Sequence, residues 1–212
     1  MPLTASDPAV EPSVHVVDDD PAVRDGLAWL FSARGLPVTV WDSGEGFLDG
    51  AGAAARGCVL LDVRMGGMSG LEVLDRLEEQ GAVVPVIVLT GHGDVPVAVH
   101  ALKTGAIDFV EKPFDAEDLV ARVIAALALE VRRHEAASAT RTLERRLATL
   151  SPREREVMDL MLEGKLNKQI ADELTIAMRT VEVHRARILE KFGVRSAVEL
   201  AGRLAALRRE GP

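Results

Sequence analysis

Five short apolar runs, Val14-Val17, Val38-Trp41, Cys58-Leu61, Val86-Leu89 and Ile107-Val110, alternate with helically spaced stretches at 21–34, 44–50, 70–80 and 95–104; a further helix begins at 116. A continuous apolar strand has no polar face to offer water, so its sheet must be covered on both sides. Strands alternating with helices reach that state as a parallel sheet with crossover helices on both faces, an α/β domain. The helix starts are marked independently. Asp20 precedes Pro21 at a first helical position, and Ser69, Asp94 and Asp115 each stand immediately before a helical pattern.

In an open parallel sheet, chemistry collects beyond the carboxyl ends of the strands. Here the first strand ends in Asp18-Asp19, the third in Asp62 and the fourth in Thr90, while the fifth runs into Lys112-Pro113. Each of these has an ordinary explanation: an acidic run before Pro21 caps a helix, Lys-Pro makes a turn, and Thr suits a strand. Their joint occurrence at four strand ends is what ordinary explanations do not cover. Carboxylates gathered at one edge repel unless a hard cation joins them. Mg2+, held by one or two carboxylates and phosphate oxygens, suits such a site. With that ion, an Asp carboxylate is able to attack a phosphoryl donor, with Thr and Lys holding the phosphoryl oxygens.

The segments VHVVDDDPAVR, VLLDVRM, VIVLTGHGDVPVAV and GAIDFVEKPF, in this order and spacing, resemble a response-regulator receiver domain over residues 13 to 130, of the FixJ-type branch in particular. The resemblance implies a flavodoxin-like doubly wound sheet with Asp62 as phosphoacceptor. It further implies Mg2+ ligation by Asp18, Asp19, Asp62 and the backbone carbonyl of Arg64, phosphoryl contacts from Thr90 and Lys112, and a switch pair of Thr90 and Phe109. Asp20 remains the helix cap. One position departs from the family pattern: after VLLDVRM a proline is usual, and this chain has Gly66-Gly67. A glycine frees φ and raises loop entropy, so the expectation is a less rigid loop beside Asp62 and a shorter-lived phosphorylated state.

Charge divides the chain. Residues 1–140 hold 10 Lys and Arg against 22 Asp and Glu, whereas residues 141–212 hold 15 against 11, so the overall net charge of -8 hides a basic C-terminal part. A basic domain meets the electrostatic condition for binding phosphate backbones. Helix signals alone fill residues 151–212. Ser151-Pro152-Arg153-Glu154 is a capping box, Gly164 ends its helix, and Asn167 is placed to cap a helix over 168–174. A turn through 175–177 leads to a third helix, Met178 to Phe192, stopped by Gly193. Ser196 and Glu199 form a second box for a last helix to about Arg208. A short helix, a tight turn and a longer basic helix is the helix-turn-helix arrangement. On the third helix Val181, Ile188, Leu189 and Phe192 form the inward stripe. Glu182, Val183, Ala186 and Arg187 lie opposite, an apolar Val beside Glu being suited to base edges.

LSPREREVMDLMLEGKLNKQIADEL and RTVEVHRARILEKFGVRSAVEL resemble the LuxR/NarL-type DNA-binding domain over its whole length. That resemblance implies base contacts from Glu182, Val183 and Ala186, phosphate contacts from Arg179, Thr180, His184, Arg185 and Lys191, and dimerisation through the last helix. Read from the residues alone, His184 is a partly buried packing residue. The recognition helix usually opens on Ser, and Ala177 stands there instead, a missing cap worth about 1 kcal/mol.

The expected organisation is a receiver over 1–133, a partly helical linker over 134–148 with a helical piece at 143–150, and an all-α helix-turn-helix domain over 149–212. The expected function is that of a two-component response regulator and not an enzyme acting on a free substrate. A histidine kinase phosphorylates Asp62, the receiver dimerises through its fourth helix, fifth strand and fifth helix, and the output domains bind double-stranded DNA and work with RNA polymerase. The alternative is an atypical receiver controlled by protein contacts without phosphorylation, which usually lacks an acidic or Lys position, whereas Asp18, Asp19, Asp62, Thr90 and Lys112 are all present here. An aspartyl-phosphate phosphohydrolase is disfavoured because Arg64 stands where that class has a second Asp. The single cysteine, Cys58, excludes a disulfide framework and fits a reducing compartment. No apolar run approaches the ~20 residues of a membrane span, so the expectation is a cytoplasmic protein without a membrane partner.

Overall fold

The computed structural model describes residues 12–91 and 95–210. Asp94, expected as a helix cap, lies outside them. The first unit contains β1 (Ser13–Val17), α1 (Pro21–Ser32), β2 (Val38–Trp41), α2 (Gly44–Gly50), β3 (Gly57–Asp62), α3 (Gly70–Glu79), β4 (Val86–Thr90), α4 (Val95–Lys103) and β5 (Asp108–Glu111). All strand pairs are parallel, in the order β2-β1-β3-β4-β5. The order reverses between β1 and β3, which is where a crevice opens above such a sheet.

Alternate strand residues feed two separate cores. Val17, Val59, Leu61, Val86 and Val88 pack with Phe47 of α2 and Val73, Leu74 and Leu77 of α3. Val14, Val16, Cys58, Leu60, Ile87 and Leu89 pack on the other face with Leu27 and Phe31 of α1, and with Leu119, Val120 and Val123 of α5 (Ala116–Ala148). The two-residue period of a strand thus explains why these runs are apolar throughout. The helix caps act as anticipated. Asp20 accepts from Ala22 N–H, Asp115 from Asp118 N–H, and Ser69 forms a complete capping box with Glu72.

His15 is a buried polar residue in the middle of β1. The Trp41 indole N–H donates to its Nδ1 at 3.2 Å, and its Nε2 lies 3.1 Å from the Arg56 carbonyl. Nδ1 is therefore the acceptor and Nε2 carries the proton, so the ring is neutral. Burial lowers its pKa, with the Arg56 hydrogen bond opposing. A folded-state value below that of the unfolded chain means the unfolded chain takes up the proton first as pH falls. The contribution of His15 to stability is complete above about pH 6.5 and is lost below it, by at most about 1.4 kcal/mol per pH unit. Urea unfolding at pH 7.5 and 5.5, followed by Trp fluorescence, is expected to show a larger loss in the wild type than in His15→Gln. Equal losses would refute this role for His15.

α5 differs from expectation. It runs unbroken from Ala116 to Ala148 through the residues read as a partly helical linker. Residues 134–148 contain neither Gly nor Pro and are rich in Ala, Arg, Glu and Leu, so nothing in them stops a helix once it has started. The chain divides into two compact units between His134 and Glu135.

The second unit consists of the end of α5 with α6 (Pro152–Leu162), α7 (Asn167–Leu174), α8 (Met178–Phe192) and α9 (Ala197–Glu210). Its core joins Val157, Met158 and Met161 of α6, Ile170 of α7, Val181, Ile188 and Phe192 of α8, and Leu200 of α9, with Leu143 and Leu147 of α5 packed against it. Two caps differ from the sequence reading. Asn167 is the first helical residue, because Gln169 accepts from the backbone N–H of Leu166 and makes Leu166 the cap position. At α9 the Ser196 hydroxyl accepts from Glu199 N–H, but the Glu199 carboxylate takes the N–H of Arg195, so the second box is only half formed. Among the described residues, no helix is long and apolar enough to cross a membrane.

Candidate functional site

The ends of β1, β3, β4 and β5 stand side by side, with Val17 paired to Leu61, Asp62 to Leu89 and Thr90 to Glu111. Side chains just past these ends must converge. Asp18 and Asp62 are both buried, and the Lys112 ammonium bridges them, 2.7 Å from Asp18 Oδ2 and 2.7 Å from Asp62 Oδ1. The second Asp62 oxygen accepts the backbone N–H of Arg64 at 3.0 Å, and Asp18 Oδ1 accepts that of Asp20 at 2.9 Å. Lys112 is itself placed by its backbone N–H, which donates to the Thr90 carbonyl at 2.7 Å. Asp19 is exposed and its carboxylate accepts the N–H of Gly66 at 2.9 Å.

The segment from Asp62 to α3 doubles back tightly. A Cβ on Gly70 would lie 2.1 Å from the Asp62 carbonyl oxygen, so only glycine permits the first turn of α3 to close against the acceptor's backbone. The loop between is tied down despite its two glycines. Besides the Gly66 bond, Met68 N–H donates to Glu45 of α2 at 2.9 Å, and Ser69 is locked in its capping box. The looser loop expected from Gly66 is thus countered by backbone donors to Asp19 and Glu45, partners far away in sequence.

Burial raises the pKa of Asp62, with the hydrogen bond and charge of Lys112 opposing. For Lys112, burial pulls downward, but its hydrogen bonds to Asp18 and Asp62 outweigh this and raise its pKa, keeping the ammonium charged. Oxygens of Asp18, Asp19 and Asp62 all lie within 4.8 Å of one another. Three carboxylates against one ammonium leave two negative charges, and the donors are all hard oxygens. That set fits a divalent hard cation such as Mg2+.

Thr90 is buried, and its hydroxyl donates to the Gly91 carbonyl at 3.4 Å. Phe109, on β5, is 40% exposed and so is not a plain core residue. Beside it Arg122 of α5 pairs with Asp108 at 2.5 Å and Asp118 at 2.8 Å. Val99 and Leu102 of α4 are also exposed.

In the second unit, α8 buries Val181, Ile188 and Phe192 and exposes Arg179, Thr180, Glu182, Val183, Ala186 and Arg187. Val183, 44% exposed on this polar face, contributes nothing to the core. Ala177 holds the cap position with no side-chain hydrogen bond, as the sequence anticipates. His184 and Arg185 are half-buried, and the His184 Nδ1 is buried with no hydrogen-bond partner among the described residues. Lys191 has an intramolecular role beside the phosphate contact that the resemblance implies. Its ammonium sits 2.7 Å from buried Glu154 and 2.9 Å from the Thr149 carbonyl, so its charge ties α8 to the start of α6. The Lys191 hydrogen bond and the Ser151 N–H hold the Glu154 carboxyl down to about 2. Glu154 was legible only as the closing residue of a capping box. Arg146 of α5 and Arg203 of α9 both donate to the Phe192 carbonyl at the C-terminus of α8, favourable charges for that helix end.

Residues 14–124 match the family of response regulator receiver domains, and residues 148–204 match the luxR family of bacterial regulatory proteins. The C4-dicarboxylate transport transcriptional regulatory protein DctR of Rhodobacter capsulatus is 51% identical over 191 residues, 89% of this chain and 97% of that one. The transcriptional regulatory protein FixJ of Azorhizobium caulinodans is 47% identical over 94% of both chains. Among solved structures, the response regulator StyR aligns with a TM-score of 0.84 at 40% identity, covering 92% of this chain and 98% of that one. Full-length FixJ from B. japonicum aligns with a TM-score of 0.57 at 39% identity, covering 95% and 99%.

Proposed function

The chain belongs to the response-regulator family, joining a receiver to a LuxR-type DNA-binding domain as a transcriptional regulator of the FixJ type, and on that premise we propose that Asp62 is its phosphoacceptor and that phosphorylation there turns on DNA binding. The observation that carries this reading is the buried Asp62 carboxylate, bridged to Asp18 by Lys112 at the sheet's switch point. An Asp62 oxygen attacks the phosphorus of a kinase phosphohistidine while the P–N bond breaks and its electron pair stays on the imidazole nitrogen. Lys112 and Thr90 hold the phosphoryl oxygens. Asp18, Asp19 and Asp62 with the Arg64 carbonyl would hold Mg2+, which when bound offsets negative charge on the transferring group.

Drawing the Thr90 hydroxyl from the Gly91 carbonyl toward the phosphoryl group opens space beneath β5. Phe109, 40% exposed, turns inward to fill it and changes the exposed surface of β5. Receivers then pair through α4, β5 and α5, and two output domains reach paired half-sites. On DNA, α8 lies in the major groove with Glu182, Val183 and Ala186 at base edges and Arg179, Thr180, His184 and Arg185 at phosphates. Lys191, whose side chain is one-third exposed, adds a phosphate contact while its ammonium also ties α8 to Glu154 of α6. A cytoplasmic setting and work with RNA polymerase complete the reading. Its test is the affinity for a DNA site selected by the protein, measured with and without acetyl phosphate. A rise of about tenfold or more is expected, and equal affinities would refute control by phosphorylation.

A further inference from the structure

The segment VHVVDDDPAVR closes on Arg24, a residue that neither the phosphoryl chemistry nor the DNA contacts use. Arg24 is the fourth residue of α1, half-buried, and its Nη1 donates to the backbone carbonyl of Asp18 at 2.7 Å. A helical side chain leans back toward the N-terminus of its helix, which is how position 24 reaches the end of β1. Asp18 lies one residue past Val17, the last paired residue of β1, and its N–H donates to the Trp41 carbonyl at 3.2 Å. Its carbonyl has left the sheet while the residue is still buried, and a buried carbonyl needs a donor. A cation near the N-terminus of a helix runs against the helix dipole, so helix stability does not account for Arg24 at this position.

That carbonyl belongs to the peptide group joining Asp18 to Asp19, two of the three carboxylates proposed to hold Mg2+. A peptide group is planar, so turning it changes ψ of Asp18 and φ of Asp19 together and re-aims both side chains. Oxygens of Asp18, Asp19 and Asp62 lie within 4.8 Å of one another, a spacing that requires this plane to stay put. The other bonds of the turn lie to either side of it: Asp18 Oδ1 accepts the Asp20 N–H, and Asp20 Oδ1 accepts the Ala22 N–H. Neither touches the Asp18–Asp19 peptide. Arg24 does.

We infer that Arg24 is a positioning residue for the metal site: its guanidinium fixes the Asp18–Asp19 peptide plane and so presets both carboxylates for Mg2+. The role rests on the proposed Mg2+ site and belongs to a residue that touches no ion. Two properties of Arg24 act in opposite senses. Its positive charge, without a carboxylate partner among the described residues, repels a divalent cation. Its hydrogen bond favours the cation, by removing freedom that the two ligands would otherwise lose on binding. The bond comes from one nitrogen and not from a two-nitrogen fork, so a lysine ammonium is able to replace it, whereas a methionine fills similar space with neither donor nor charge.

The experiment measures the Mg2+ dissociation constant of the full chain by calorimetry for wild type, Arg24→Lys and Arg24→Met, with thermal unfolding of each in the absence of Mg2+. Arg24→Met is expected to bind about tenfold more weakly, and Arg24→Lys within about threefold of wild type. Tighter binding in Arg24→Met would show that the charge outweighs the bond and would overturn the inference. An unchanged constant with a lowered unfolding temperature would overturn it as well, by making the bond purely structural, as would equal weakening in Arg24→Lys, which keeps a donor. A second readout begins with the wild type and does not depend on a variant folding. In metal-free chain labelled with 15N-aspartate, the Asp19 amide, part of the same peptide group, is expected to be rigid, with an order parameter of about 0.85, and to fall below about 0.6 in Arg24→Met. A mobile Asp19 amide in the wild type, or an equally rigid one in Arg24→Met, would contradict the role. If the wild type itself does not bind Mg2+, both this inference and the proposed metal site fail; if it binds and only the Arg24 pattern is wrong, the metal site stands.

Discussion

Asp62→Asn is expected to abolish labelling by acetyl phosphate and to leave DNA affinity at its unphosphorylated level under conditions that raise the wild type's by about tenfold or more. The substitution exchanges one oxygen for an amide nitrogen of similar size. It keeps an acceptor for the Lys112 ammonium, 2.7 Å from Asp62 Oδ1, and a Lys112–Asp18 bridge that does not depend on it. The fold should therefore persist. What disappears is the anionic oxygen that attacks phosphorus, and an amide does not replace it. The neighbouring carboxylates do not take over, because Asp18 is buried more deeply than Asp62, 1% against 7% exposed, and Asp19 is held against the Gly66 loop. Residual labelling comparable to wild type would mean that the acceptor lies elsewhere.

Val183→Glu carries the second large effect. Val183 is 44% exposed on the outer face of α8, and its replacement disturbs no core contact. In the major groove, the new carboxylate would meet phosphates and base acceptors without a compensating donor. A loss of about a hundredfold in affinity for the selected site is expected, with unchanged thermal stability. Arg179→Ala tests the other half of the interface. A phosphate contact contributes equally on every sequence, so its removal should weaken specific and non-specific binding alike and reduce the salt slope by about 1. Wild-type affinity in Val183→Glu would show that this face of α8 does not meet DNA. The two variants together separate base reading from backbone positioning.

The features that were legible in the sequence are those set by short-range periodicity. β1, β3 and β4 are buried throughout and read as continuous apolar runs; Asp20, Ser69, Ser151 and Gly193 marked helix ends because a cap is a local bond. The strand-end residues were legible because a parallel sheet puts every carboxyl end on one edge, whatever the loops do. Bonds between distant segments were not. Nothing in the sequence around Gly66 marks its N–H as the partner of Asp19, 47 residues earlier, and a glycine there argued for looseness where the fold supplies tethers. The intramolecular partner of Lys191 was hidden for a related reason. A lysine on a basic helix resembles every other, and only the fold brings it to Glu154, 37 residues away, where a buried carboxylate at the start of α6 requires a cation. The continuity of α5 was under-read because small polar residues such as Ser138 and Thr142 suit linkers as well as helices. In the helix Thr142 bonds back to the Ser138 carbonyl and does not break it.

The central claim, that the strand-end carboxylate of Asp62 carries the signal, is tested most directly by chemistry on the phosphorylated chain. Borohydride reduces an aspartyl phosphate to homoserine and leaves unmodified carboxylates alone, so peptide mass mapping after reduction locates the phosphoryl group. Homoserine is expected at position 62 and nowhere else, in the chain phosphorylated by acetyl phosphate and Mg2+. Homoserine at 18 or 19, or a phosphoryl group that resists reduction on another residue type, would contradict it.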